Sequence, residues 1–330
     1  MQTKFLINKA YVKSYASVAG PIEGNGKLKN DFDLIIKDPL AGEKTWESAE
    51  SSFQKTAVKI ALKKKNIDEN AIDNILAGDL VNQCTVSSFA ARSSKLPYIG
   101  LYGACSTSAL NLGVGALFVS AAISNNIICV TSSHFCSAER TYRFPVEYGG
   151  QRTMSAQHTV TAAGATILSN EQNPIYIDAV TFGKVVDMGI TDATNMGAAM
   201  APAAADTLTA FFNDSNTKPY DYDAIFTGDL GKVGSELLYK IMNRNGLEIE
   251  NIHKDCGLLI YDMNNQDVHA GGSGCGCAAS VLNGHIFKNM ENDKYKNILF
   301  CATGALLSPV SSNQGESIPS IAHLLNICKN

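Results

Sequence analysis

The sequence predicts an α/β protein made of two related halves, each holding a covered, mostly parallel sheet. Three observations predict it. A hexapeptide ending in Gly-Asp-Leu, Ile75-Leu76-Ala77-Gly78-Asp79-Leu80, has a counterpart in Ile225-Phe226-Thr227-Gly228-Asp229-Leu230. Each copy is followed by a turn of small residues, around Cys105 in the first half and across 271–279 in the second. Each turn opens a helix that leads to an apolar strand, Ile127–Thr131 in the first half and Ile298–Ala302 in the second. The repeat divides the chain into 1–172 and 173–330, with both turns facing one cleft.

The first clear element is a helix over 46–64. Trp46, Ala49, Phe53, Ala57 and Ile60 step by three or four and form one apolar stripe. Thr45 caps its N-terminus, acidic residues occupy the first turns, and Lys63-Lys64-Lys65 followed by Asn66 close it. Strands are expected at Asn74–Leu80 and Val160–Leu168. Between Lys95 and Glu139 no Asp, Glu, Lys or Arg occurs. Within that run, Leu110–Ile123 is too short to span a bilayer and carries Asn111 and Ser120, so it reads as a helix buried at the centre of the protein.

Bulk composition narrows the function classes. The chain has 330 residues, 45% of them apolar and 18% charged, which describes a well-packed globular protein. Its formal net charge of −4 gives no basic stripe and argues against a nucleic-acid partner. The nine cysteines are an odd number without zinc spacing, so they are expected as reduced, mostly buried thiols. Neither a signal peptide nor a membrane span is expected from the sequence.

Cys105 carries the chemistry. A cysteine at a helix N-terminus faces unpaired backbone N–H groups and the positive end of the helix dipole, which favour a thiolate or a bound anion. A nucleophile and an anion-binding turn are both open on this ground alone.

Two α/β repeats, with a cysteine at the first strand-to-helix turn and a glycine-rich second turn, resemble the thiolase-like fold of acyl-transferring condensing enzymes. A closer resemblance rests on four segments. They are Ser133–Arg140, Arg143–Thr153, His269–Cys277 and Thr303–Pro309, which are similar to the stage V sporulation protein AD family of endospore-forming bacteria. The resemblance covers nearly the whole chain. It implies a binding protein for dipicolinic acid (pyridine-2,6-dicarboxylate), not a synthase. It also implies work beside small membrane proteins of the same operon, peripheral on the inner membrane of the spore, moving the acid as its calcium chelate. No cofactor is implied, and calcium travels with the ligand. Thiolase-like proteins commonly pair through the first half, which makes a homodimer the expected assembly.

The residues agree with a silent enzyme. Condensing enzymes pair the cysteine with histidines that activate it and stabilise developing charge. Where the resemblance places one such histidine, this chain has Thr227-Gly228-Asp229, and Cys275 stands near the place of an Asn. A carboxylate beside Cys105 opposes the thiolate. His269, at the head of the glycine-rich turn, is open to either a structural or a ligand-binding role. A dicarboxylate wants helix N-termini, hydroxyls and cations. The candidate ligand-binding residues are therefore Cys105, Ser106, Arg140, Arg152, Asp229, His269, Ser273 and Cys275, with Arg143 and Thr107 as further candidates. The competing expectation is an active acyltransferase of the ketoacyl synthase type with Cys105 as nucleophile. For the arginines, pairing with Glu139 and Glu147 in their own loop is the alternative.

Overall fold

Alternation along the strands sets the layers of this protein. In Ile75–Ala77, Leu76 faces the central apolar cluster while Ile75 and Ala77 face an outer one. Ile127 and Cys129 face inward, Ile128 and Val130 outward. The second half repeats the pattern: Ile298 and Phe300 point to the centre, Leu299 and Cys301 to a second outer cluster. Period-two alternation with both faces apolar is what a sheet buried on both sides requires.

The computed structural model describes residues 1–142 and 152–330. The first half contains β1 (Thr3–Ala19), β2 (Leu34–Ile35), α1 (Trp46–Lys64), β3 (Asn74–Gly78), α2 (Thr85–Ala91), β4 (Tyr98–Gly100), α3 (Thr107–Ser120), β5 (Asn126–Ser133), α4 (Phe135–Tyr142), β6 (His158–Thr159) and β7 (Ala162–Ser169). After it come β8 (Ile175–Phe182), α5 (Met196–Ser215), β9 (Ala224–Thr227), α6 (Gly231–Arg244), β10 (His253–Asp255), α7 (Cys256–Ile260), β11 (Gly272–Ser273), α8 (Cys275–Val281), α9 (Phe287–Glu291), β12 (Asn297–Ala305), α10 (Pro309–Asn313) and β13 (Ser320–Lys329).

One continuous sheet has the order β10-β9-β12-β13-β8-β1-β7-β5-β3-β4, with β2 beside β1. Each half contributes five strands in the same arrangement, four running one way and one, β7 or β13, reversed. The halves join where β1 and β8 pair antiparallel. Helices α3 and α8 supply Ala109, Leu112, Ala116, Cys277 and Val281 to the central cluster between the two inner sheet faces. Helix α1 covers the outer face of the first half through Phe53, Ala57 and Ala61, and α5 covers that of the second.

Helix α1 begins and ends where its stripe and caps place it, with Thr45 accepting a hydrogen bond from the Ser48 N–H at 3.2 Å. The uncharged run yields α3, and its buried positions bear out a central helix. The first repeated hexapeptide ends its strand at Gly78, because Asp79 turns away to accept backbone bonds. All nine cysteines are free thiols, seven of them buried. Among the described residues no helix is long and apolar enough to cross a membrane.

Candidate functional site

The site forms where the two small-residue turns meet. In the first, Ala104 adopts a left-handed backbone (φ 50°), and the turn closes on itself. The Ser106 hydroxyl donates to the Gly103 carbonyl at 2.6 Å. The Thr107 hydroxyl donates to the Ala104 carbonyl at 2.6 Å and accepts from the Gly103 N–H at 3.0 Å. Both side chains thus hold the turn that aims Cys105 outward from the start of α3. Gly304 of β12 lies against the same turn, and a Cβ there would crowd the Ser106 and Cys105 N–H groups.

The second half supplies Asp229, immediately after β9. Its Oδ2 accepts from the Gly274 N–H at 2.8 Å and from the Ser273 hydroxyl at 3.3 Å, and its Oδ1 accepts from the Thr303 hydroxyl at 2.9 Å. The same carboxyl faces the Cys105 thiol closely enough to act on it electrostatically. Complete burial pushes Asp229 up to about 7 despite those donors. Burial first, and then the Asp229 charge, push the Cys105 thiol well above its ordinary value. Cys105 is therefore a neutral thiol at physiological pH, and the helix dipole does not overcome its surroundings.

Cys105, Leu80, Tyr102, Tyr142, Thr159 and Ser273 surround a narrow cavity of about 30 Å³. The Tyr102 and Tyr142 hydroxyls stand 3.0 Å apart on its wall, and the Tyr142 hydroxyl also donates to the Leu80 carbonyl. Space of this size holds water, not an aromatic ring. A ring-sized ligand needs the tyrosine pair to part.

The candidate residues thus fall into two groups. Cys105, Asp229 and Ser273 converge, with Ser106 beneath them. Cys275, at the start of α8, packs with Cys105, Leu80 and Ala138, and its thiol donates to the Ser132 carbonyl at 2.9 Å without lining the cavity. Arg140, Arg152 and His269 do not line the cavity. Arg140 is ion-paired with Glu47 of α1. Arg152 donates to the Asp267 carbonyl at 2.8 Å, with the Asp267 carboxylate at 3.2 Å. His269 bonds the Thr153 carbonyl at 2.7 Å and also faces that carboxylate, at 2.9 Å. Arg143 lies outside the described residues. Glu139 accepts from the Thr159 hydroxyl at 3.0 Å, and Glu147, the other alternative partner for the arginines, lies with Arg143 outside the described residues.

None of the six histidines lines the cavity. His134 and His253 are held by the Pro39 carbonyl and by Thr227 with Tyr239, and His285 faces Asp31. His323 accepts from the Gly183 N–H at 3.3 Å. Burial lowers His253 and His323 to about 4, so both are neutral. Sequence reasoning missed Tyr102, Tyr142 and Thr303. Tyr102 directly precedes the Cys105 turn and Thr303 opens one of the four family-like segments, so adjacency was the available signal.

Fold and site define a thiolase-like protein whose cysteine faces a carboxylate. The solved structures it resembles include 3-oxoacyl-[acyl-carrier-protein] synthase III from Aquifex aeolicus VF5, with a TM-score of 0.60 at 11% identity over 96% of this chain and 99% of that one. Acetyl-CoA acetyltransferase from Syntrophomonas wolfei gives a TM-score of 0.62 at 9% identity, over 98% of this chain and 100% of that one. Identities this low speak to the fold alone. The particular family follows from the sequence: the chain belongs to the stage V sporulation protein AD family, whose profile matches residues 1–328. It is 44% identical over 322 residues to Stage V sporulation protein AD of Bacillus subtilis (strain 168), covering 98% of this chain and 95% of that protein. Its role therefore lies in sporulation.

Proposed function

We propose that this chain is a non-catalytic ligand carrier of the sporulating cell. It binds dipicolinate in the cleft between the Cys105 turn and the Gly271–Gly274 turn. It hands the acid, with calcium carried on the ligand, to small membrane proteins at the inner membrane of the spore. The observation that carries the silent-enzyme part is Asp229 against Cys105. A condensing enzyme needs a thiolate and a base that takes the thiol proton. Here the neighbouring group is a buried carboxyl whose charge raises the thiol, and no histidine lines the cavity. The dipicolinate part rests on family membership. The cleft adds the N-terminus of a fourteen-residue helix, α3, and the hydroxyls that Tyr102 and Tyr142 free when their mutual contact parts, as groups suited to a planar dianion.

Calorimetric titration with dipicolinate, with and without calcium, tests the reading against benzoate and an acyl-coenzyme A. Saturable binding of dipicolinate alone is expected. Release of free coenzyme A with acylation of Cys105 would instead establish an acyltransferase. Absence of any small-molecule affinity would leave a protein that uses its fold for protein contacts only.

A further inference from the structure

Helix α1 carries Lys55, Lys59 and Lys63 at successive turns of its outer side. Like charges four residues apart on a helix destabilise it. Nothing nearby relieves them: among the described residues none of the three has an ion-pair partner. The neighbouring Lys64 differs, because it turns the other way and meets Asp33 at 2.8 Å. A row of unpaired cations on a chain of net charge −4 calls for an anionic partner that is not part of the fold.

The three lysines form one wall of a groove of about 540 Å³. Ser93 and Ser94, just past α2, form the other wall. The floor is apolar, made by Val58, Leu62, Ile75 and Ala91, and Glu69 is the one acidic residue at the rim among those described. Ile75, Ala91, Val58 and Leu62 belong to the outer apolar cluster of the first half, whereas α3 packs into the central one. The groove is therefore on the opposite face of the sheet from α3, and it stands independently of the ligand reading above.

We propose that this groove docks an amphipathic α-helix of a partner protein, bearing carboxylates at i, i+4 and i+8 beside an apolar stripe. Successive lysines rise by about 6 Å along the axis, so the row spans about 12 Å. A small anion engages one or two of them. A second helix presents acids with the same period and places its apolar side chains on Val58, Leu62 and Ala91, the helix-in-groove mode of recognition. Charge complementarity decides for an acidic helix, and the apolar floor decides for an amphipathic one.

The test uses the full chain and a synthetic helical peptide with glutamates at i, i+4 and i+8 flanked by leucines. Fluorescence anisotropy should give saturable binding that weakens with added salt. Hydrogen exchange should slow in α1 and α2. Lys55→Glu with Lys59→Glu, both exposed and expected to fold, should weaken binding about tenfold or more, since two ion pairs become repulsions. Lys55→Arg with Lys59→Arg should retain it. Equal binding to the charge-reversed variant overturns the proposal, as does failure of the acidic peptide to bind better than its lysine counterpart. So does lysine-dependent binding of phosphatidylglycerol vesicles that the peptide does not compete away, which would make the groove a lipid site.

Discussion

Asp79 and Asp229 hold the same place in the two related hexapeptides, yet the structure uses them for opposite ends. In the first half, Asp79 turns back onto its own segment. It accepts from the Val81 N–H at 2.8 Å and from the Ser87 N–H and hydroxyl at 2.8 and 2.6 Å. It thereby secures the start of α2. In the second half that task has passed to another residue. Asp255, at the end of β10, accepts from the Leu230 and Gly231 N–H groups at 2.8 and 3.0 Å and secures the start of α6. Asp229 is released by this substitution and meets Cys105 instead. The two copies thus differ in use although both keep Gly-Asp-Leu: in the second, Thr227 stands where the first has Ala77 and donates to Asp255 at 2.7 Å, and that carboxylate carries the backbone duty. A repeat predicts the scaffold; it does not predict which copy carries the site.

The largest expected difference between the halves concerns the glycines of those hexapeptides. A Cβ on Gly78 would fall on the Leu101 carbonyl oxygen and on Thr107 Cγ2, and Thr107 is held by its two hydrogen bonds in the Cys105 turn. A Cβ on Gly228 would stand 3.1 Å from Ala302 Cα and 3.4 Å from Ala278 Cβ, tight but tolerable after a small shift. Overpacking a close-packed interior costs about 1–3 kcal/mol. Gly78→Ala should reach or exceed the top of that range and Gly228→Ala stay near the bottom, read by urea unfolding. Equal losses would mean that the two hexapeptides sit in equivalent surroundings after all.

The next effect is electrostatic and belongs to Asp229. Its folded-state value near 7 lies above the unfolded carboxyl's value of about 3.9, so the folded protein holds this proton more tightly. The corresponding stability is fully present below about pH 4 and is lost as pH rises towards 7. Asp229→Asn should remove that part of the slope. It should leave the part due to Glu50, which burial pushes up to about 8 in the first half. The same variant should lower the Cys105 thiol and speed its alkylation by iodoacetamide at pH 8. Unchanged labelling, with Cys105 shown to be accessible, would remove Asp229 as the group that keeps the thiol neutral.

Much of this scaffold was legible, and the reasons for the gaps are physical. Helix α1 announced itself because one face is apolar and one is charged, and because Thr45 and the lysines mark its ends. The paired turns were legible because only small residues permit the close approach seen at Gly276, where a Cβ would meet the Ser133 N–H. The long strand β1 was not, since Lys4, Asn8, Lys9 and Lys13 break its apolar pattern and its buried Ser14 is satisfied only through the distant Ala61 carbonyl, at 2.6 Å. Helix α5 was equally silent: buried alanines and Met200 surround Pro202, so no stripe separates one face from another. At the site, residue types pointed to Cys105 and Asp229. Arg152 and His269 instead meet on Asp267, a pairing fixed by folding and invisible to spacing.

The smallest expected effect separates the two cysteines that open the central helices. Cys105 borders an existing cavity, so truncating it adds space where space already exists. Cys275 is fully buried, and its thiol donates to the Ser132 carbonyl at 2.9 Å. Its loss opens a void that its neighbours cannot reach across and leaves a carbonyl without that donor. A free cysteine packs as a small hydrophobe, and lost volume is penalised most where nothing can relax into it. Cys105→Ala should therefore cost less than about 1 kcal/mol and Cys275→Ala about 1–2 kcal/mol more, read as shifts in the urea midpoint at constant slope. The reverse order would mean that Cys105 is a packing residue of the α3 turn. The first half would then have kept its cysteine for structure, and the contrast with Asp229 would lose its functional meaning.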